Sequence, residues 1–150
     1  MTFVCKTIFF IASAMTCVYG TAHTEPVDVA GSTLTVESIF PAANMPITVK
    51  TVLVADLEYS IEDFLPGAYF VMVQVDTKNE HMTTDGQFPN SSYPILTEPH
   101  GKLRFSFPVK YVWWSPNVKH PLNVHFYLNK KTDSKHSHIV AKAGPVAYTE

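Results

Sequence analysis

The sequence predicts an all-β fold: an immunoglobulin-like antiparallel sandwich of about seven strands in two sheets. Three observations point there. The apolar residues recur with period two rather than 3.6, the runs are rich in β-branched and aromatic residues, and Pro, Gly, Asn and Asp separate them. No window of helical length carries an amphipathic stripe, so no helices are available to cover a sheet and two sheets must cover each other.

The elements follow in order. Leu34 and Val36 alternate with Thr33, Thr35 and Glu37. Ile47, Val49 and Thr51 alternate with Thr48 and Lys50, and the run continues through Val52 to Ala55. At most a single helical turn fits at Ser60 to Phe64. Gly67 then opens the run Ala68 to Val75, which is apolar at nearly every position. One face of an exposed sheet should read polar, but here Tyr69, Val71, Val73 and Val75 share one face while Phe70 and Met72 share the other. Either a loop, such as the Trp113-Trp114 segment, lies over that second face, or the face meets a partner or ligand. Leu103, Phe105 and Phe107 alternate with Lys102, Arg104 and Ser106; Leu122, Val124, Phe126 and Leu128 alternate with Asn123, His125 and Tyr127. Ile139 to Ala141 and Val146 to Tyr148 close the chain.

The first 22 residues stand apart. One basic residue, Lys6, is followed by an apolar run from Thr7 to Tyr19 and by the small residues Gly20 and Ala22. That order reads as a secretory signal peptide cleaved near Gly20 or Ala22. The run falls short of the roughly 20 apolar residues a transmembrane helix needs. Residues 23–150 then form a single domain. Both cysteines, Cys5 and Cys17, lie in the leader, so the secreted chain holds together by its core rather than by disulfides. Asn90-Ser91-Ser92 is a glycosylation sequon in a polar, Pro-flanked stretch, in keeping with a secreted or extracellular protein, or one delivered to an acidic vacuolar or lysosomal lumen.

Composition narrows the function. Of the 150 residues, 46% are hydrophobic, 13% aromatic and 16% charged, which excludes a disordered chain. Eleven Lys and Arg against thirteen Asp and Glu leave a net charge of −2 and no basic footprint for nucleic acid. No G-x-S-x-G elbow is present, no cysteine survives as a nucleophile, and the adjacent Glu62 and Asp63 diverge as loop neighbours. The reading is therefore a non-catalytic protein without a cofactor. His136 and His138, two apart near Asp133, would share a strand face as a metal pair, but no third ligand follows at a diagnostic spacing. Charging of the seven histidines near pH 6 would turn the chain net positive and favour anionic membranes.

The order of motifs resembles the ML lipid-recognition family, which includes the Niemann–Pick type sterol carriers and the fungal phosphatidylglycerol/phosphatidylinositol transfer proteins. The resemblance runs from about Gly31 to Val146. Its sharpest piece is Ile61-Glu62-Asp63-Phe64-Leu65-Pro66-Gly67-Ala68-Tyr69 leading into the apolar strand to Val75, with Leu34 to Ile39, Gly101 to Phe105 and Leu122 to Leu128 in matching order. The chain departs from that family in lacking the disulfides. The resemblance implies two sheets splayed around an apolar cavity that holds one sterol or phospholipid, in a monomer that touches membranes transiently. Phe70, Met72, Phe105, Phe107, Val124 and Phe126 are then the candidate lining. Tyr111, Trp113, Trp114 and Pro116 form a candidate aromatic lip at the cavity mouth or a membrane interface. Two other readings stand beside it. Trp113 and Trp114 could stack on sugars in a surface or cell-wall glycan-binding module, and cleavage after Ala22 would make His23 a copper-chelating N-terminus.

Overall fold

The computed structural model describes residues 27–28, 31–76, 81–83, 93–110 and 121–149. Six long strands and two short ones form the fold: β1 (Val27–Asp28), β2 (Thr33–Phe40), β3 (Val52–Ser60), β4 (Tyr69–Asp76), β5 (His81–Thr83), β6 (His100–Pro108), β7 (Leu122–Lys131) and β8 (Ser137–Tyr148). They pair antiparallel throughout, as a three-stranded sheet of order β2-β3-β6 and a five-stranded sheet of order β1-β8-β7-β4-β5. Among the described strands the chain crosses between the sheets after β1, β3, β5 and β6, as in an immunoglobulin-like sandwich. The sheets approach most closely along β2 and β8.

Period-two patterning explains which face each strand buries. On β2 the inward positions are Leu34, Val36 and Ile39, the spacing lengthened by a bulge between Val36 and Ser38 that shifts register against β3. On β3 they are Leu53, Ala55, Leu57 and Tyr59, on β4 Tyr69, Val71, Val73 and Val75, and on β7 Leu122, Val124, Phe126 and Leu128. These join Phe105, Phe107, Ala141, Ala143, Val146 and Tyr148 in one apolar core.

Three strand boundaries differ from the sequence reading. Residues 47 to 51 do not extend β3. Thr51 donates its N–H to the Thr48 carbonyl at 2.9 Å, and its Oγ1 accepts the Thr48 N–H at 2.8 Å, so a tight turn replaces the extended run. β3 instead continues past Ala55 to Ser60, because Leu57 and Tyr59 keep the inward alternation while Asp56 and Glu58 face water. The two closing runs are a single strand, β8, interrupted by an irregularity at Gly144. There φ is +103°, a region only glycine adopts without strain, and a Cβ would stand 2.6 Å from the Val124 carbonyl oxygen.

Candidate functional site

The interior between the sheets is the first candidate, and it takes shape from β6 and β7. Phe105 and Phe107 project inward from β6; Val124 and Phe126 project inward from β7. The Phe105 and Phe126 rings meet edge to face across the gap, with centroids 6.0 Å apart. That geometry suits aromatic quadrupoles and contributes about 0.5–1.5 kcal/mol beyond area burial. Around this contact Leu57, Val71, Val73 and Leu128 are 0% exposed, so no water-sized gap touches them and the centre of the described interior is close-packed rather than open.

Packing loosens toward one edge. Along β6 the inward positions run Gly101, Leu103, Phe105, Phe107, Val109, and burial deepens in that order from half-buried Gly101 and Leu103 to Val109. Tyr59 lies opposite Gly101, where a Cβ would come within 3.0 Å of its hydroxyl oxygen. The missing side chain leaves room for the phenol, whose pKa is raised mainly by burial. Among the described residues the apolar interior is therefore less deeply buried at the Gly101 end of β6, beside Tyr59 of β3, than at its Phe107 end.

Polar groups are kept to the rim of this interior. The Tyr69 hydroxyl donates to the Asp63 carbonyl at 2.8 Å and the Tyr148 hydroxyl to the Pro41 carbonyl at 2.9 Å, each tying a connecting segment to the core. Burial pushes the Tyr148 phenol far up, so it is neutral at any physiological pH.

Two of the proposed lining residues lie elsewhere. Phe70 and Met72 fall between the inward positions of β4 and therefore stand on the outer face of the five-stranded sheet. Phe70 is buried there by the segment that runs beside β4: Tyr93 stacks on its ring at 5.5 Å, Ile95 bridges to it, and the Leu96 N–H donates to the Tyr69 carbonyl at 2.9 Å. A covering loop accounts for the double apolar character of β4 around Phe70, and residues 93–96 supply it. Trp113, Trp114, Tyr111, Pro116, Asn90, His23 and residues 1–22 all lie outside the described residues.

That outer face also holds a polar cluster that sequence reasoning passed over. Asp76 accepts from Gln74 Nε2 at 2.6 Å and lies 3.1 Å from His125 Nε2; the His125 ring stacks on Tyr127 at 6.0 Å. Lys142 Nζ sits 5.4 Å from the Tyr127 ring centroid. His125, Tyr127 and Asn129 are buried although they occupy the face that alternation assigns to water. The only available sequence signal was an aromatic and a histidine at successive outward positions of β7.

The remaining charged groups sit in the open. On the outer face of the three-stranded sheet Arg104 forks onto Asp56 at 2.7 and 2.9 Å, Ser38 Oγ donates to Asp56 at 2.9 Å, and Lys102 pairs with Glu37 at 2.6 Å. The guanidinium and the Ser38 hydroxyl hold the Asp56 carboxyl below its ordinary range, and Lys102 does the same for Glu37. His136 is not on a strand with His138. Its ring lies 2.8 Å from the Asp133 carboxylate, which also accepts the backbone N–H groups of Lys135 and His136 and so shapes the β7–β8 turn. Among the described residues no three His, Cys, Asp or Glu converge on a metal position.

Among known proteins, no family model matches the chain and no curated protein matches it significantly.

Proposed function

We propose that this protein is a secreted, non-catalytic lipid-binding or lipid-transfer protein of ML-like fold, taking one sterol or phospholipid between its two sheets. One observation supports the reading: the facing surfaces of the described strands are an apolar and aromatic wall whose burial lessens toward the Gly101 end of β6. The buried polar side chains His125 and Asn129 lie on the outer face instead. The ligand enters beside Leu103 and Phe105 and displaces the Phe105–Phe126 contact rather than filling a standing cavity. Among the described residues β6 stands last in the strand order β2-β3-β6. The resemblance in the sequence supports the same reading.

The experiment is native mass spectrometry of the secreted protein, followed by solvent extraction of what it carries. A bound sterol or phospholipid near one per chain is the expected result. Protein that emerges empty, and that stays empty after incubation with sterol and phospholipid added from ethanol, would overturn the reading.

A further inference from the structure

The connection between β2 and β3 exposes what loops normally hide. Met45 and Val49 within it are 51% and 44% exposed, and Phe40 at the end of β2 and Val52 at the start of β3, which flank it, are 46% and 45% exposed. They are held there by a built framework. The Asn44 N–H bonds to the Ala147 carbonyl at 2.7 Å with Asn44 itself at φ +64°, and the Met45 N–H bonds to the Ala42 carbonyl at 3.2 Å. Ile47 is buried and donates to the Thr149 carbonyl at 3.2 Å, anchoring the middle of the connection to the end of the chain. Beyond it the Thr48–Thr51 turn carries Val49 and Lys50 between its ends. Phe40 pairs with Val54 and Val52 with Pro108, which puts both side chains on the outer face of the three-stranded sheet at the same end of the molecule.

Residues 38 to 55 contain no Asp or Glu and one cation, Lys50; in the sequence Lys110 follows Val109, whose N–H bonds to the Thr51 carbonyl at 2.9 Å, and Glu150 follows Thr149.

We propose that this connection is a docking surface for a lipid bilayer carrying anionic phospholipid. Phe40, Met45, Val49 and Val52 enter the boundary between headgroups and acyl chains, and Lys50 remains at the level of the phosphates. A membrane is the occupant that fits. A stable protein interface covers about 800 Å² on each partner, which four half-exposed side chains do not approach, whereas interfacial insertion needs only a few apolar groups with cations beside them. The proposal deepens the carrier reading, because a carrier loads at a bilayer, but its test is separate from lipid uptake.

The test is flotation of the protein with vesicles of phosphatidylcholine, with and without phosphatidylserine. The wild-type chain should float with both and more strongly with phosphatidylserine. A Met45→Asp/Val49→Asp variant should lose about tenfold or more in apparent affinity. Lys50→Glu should lose about fivefold on phosphatidylserine vesicles. Ile139→Asp is the matched control: Ile139 is 49% exposed but sits at the far end of β8, so its change should leave binding intact. Circular dichroism melts confirm that each variant is folded. Wild-type protein that does not float, equal losses in the double variant and the control, or a self-association in sedimentation that the double variant abolishes would each overturn the proposal. If vesicle binding fails while lipid still loads from ethanol, the docking surface falls and the carrier reading stands.

Discussion

Gly144 concentrates several constraints in one residue. It combines φ +103° with a Cβ position 2.6 Å from backbone, so Gly144→Ala should cost about 2–3 kcal/mol of stability, measurable by urea unfolding. The sequence reading has two separate closing runs on either side of it, and only the structure joins them into one strand. Asp56 is a surface counterpart. Its side chain is 34% exposed, so its pair with Arg104 contributes at most about 1 kcal/mol after solvent screening. Its folded pKa lies below the ordinary value, with the Arg104 hydrogen bonds the first cause and Ser38 the second. The sign follows: the unfolded chain takes up the proton first, so the contribution is complete above the ordinary carboxylate pKa of about 3.9 and is lost as pH falls through the lowered folded value. Stability measured from pH 6 downward should therefore fall less steeply below about pH 4 in Asp56→Asn than in wild type. An equal slope in both would remove Asp56 from the account of acid sensitivity.

At the scale of elements, the β7–β8 hairpin and the β2–β3 connection show what alternation can and cannot tell. The alternation through β7 was legible because inward Leu122, Val124, Phe126 and Leu128 meet a continuous core. The turn that follows is held by Asp133, which accepts two backbone N–H groups and the His136 ring. Asp133→Ala should speed amide hydrogen exchange at Lys135 and His136 while exchange in the centre of β4 stays unchanged. A hairpin exchanging at the wild-type rate would show that the carboxylate does not hold it. Residues 47 to 51 alternate as convincingly as a strand, yet Thr48 and Thr51 close a turn there. A Thr-x-x-Thr spacing lets hydroxyl and backbone compete with the sheet for the same hydrogen bonds, and alternation carries no information about which wins.

For the whole molecule, the lipid reading makes a thermodynamic demand. A ligand that binds only the folded state stabilises it by about 2.7 kcal/mol when present at a hundredfold excess over its dissociation constant. Added sterol or phospholipid should thus raise the thermal midpoint in a concentration-dependent way, and the milder Phe105→Leu should shrink that rise. A midpoint indifferent to every lipid tried would count against uptake between the sheets.

The sequence by itself determined the class of fold and most of the core, because period-two alternation of β-branched and aromatic residues has few solutions other than stacked sheets when no helix is available. Of the proposed lining, Phe105, Phe107, Val124 and Phe126 belong to the apolar core. Only the tertiary structure decided that Phe70 and Met72 face outward, that residues 93–96 cover Phe70, and that the β2–β3 connection presents Phe40, Met45, Val49 and Val52 to solvent. The reason is physical. Alternation tells which residues share a face of a strand, but not which of two apolar faces meets the opposite sheet. That choice depends on strand order and on which distant segment of the chain comes to lie against it.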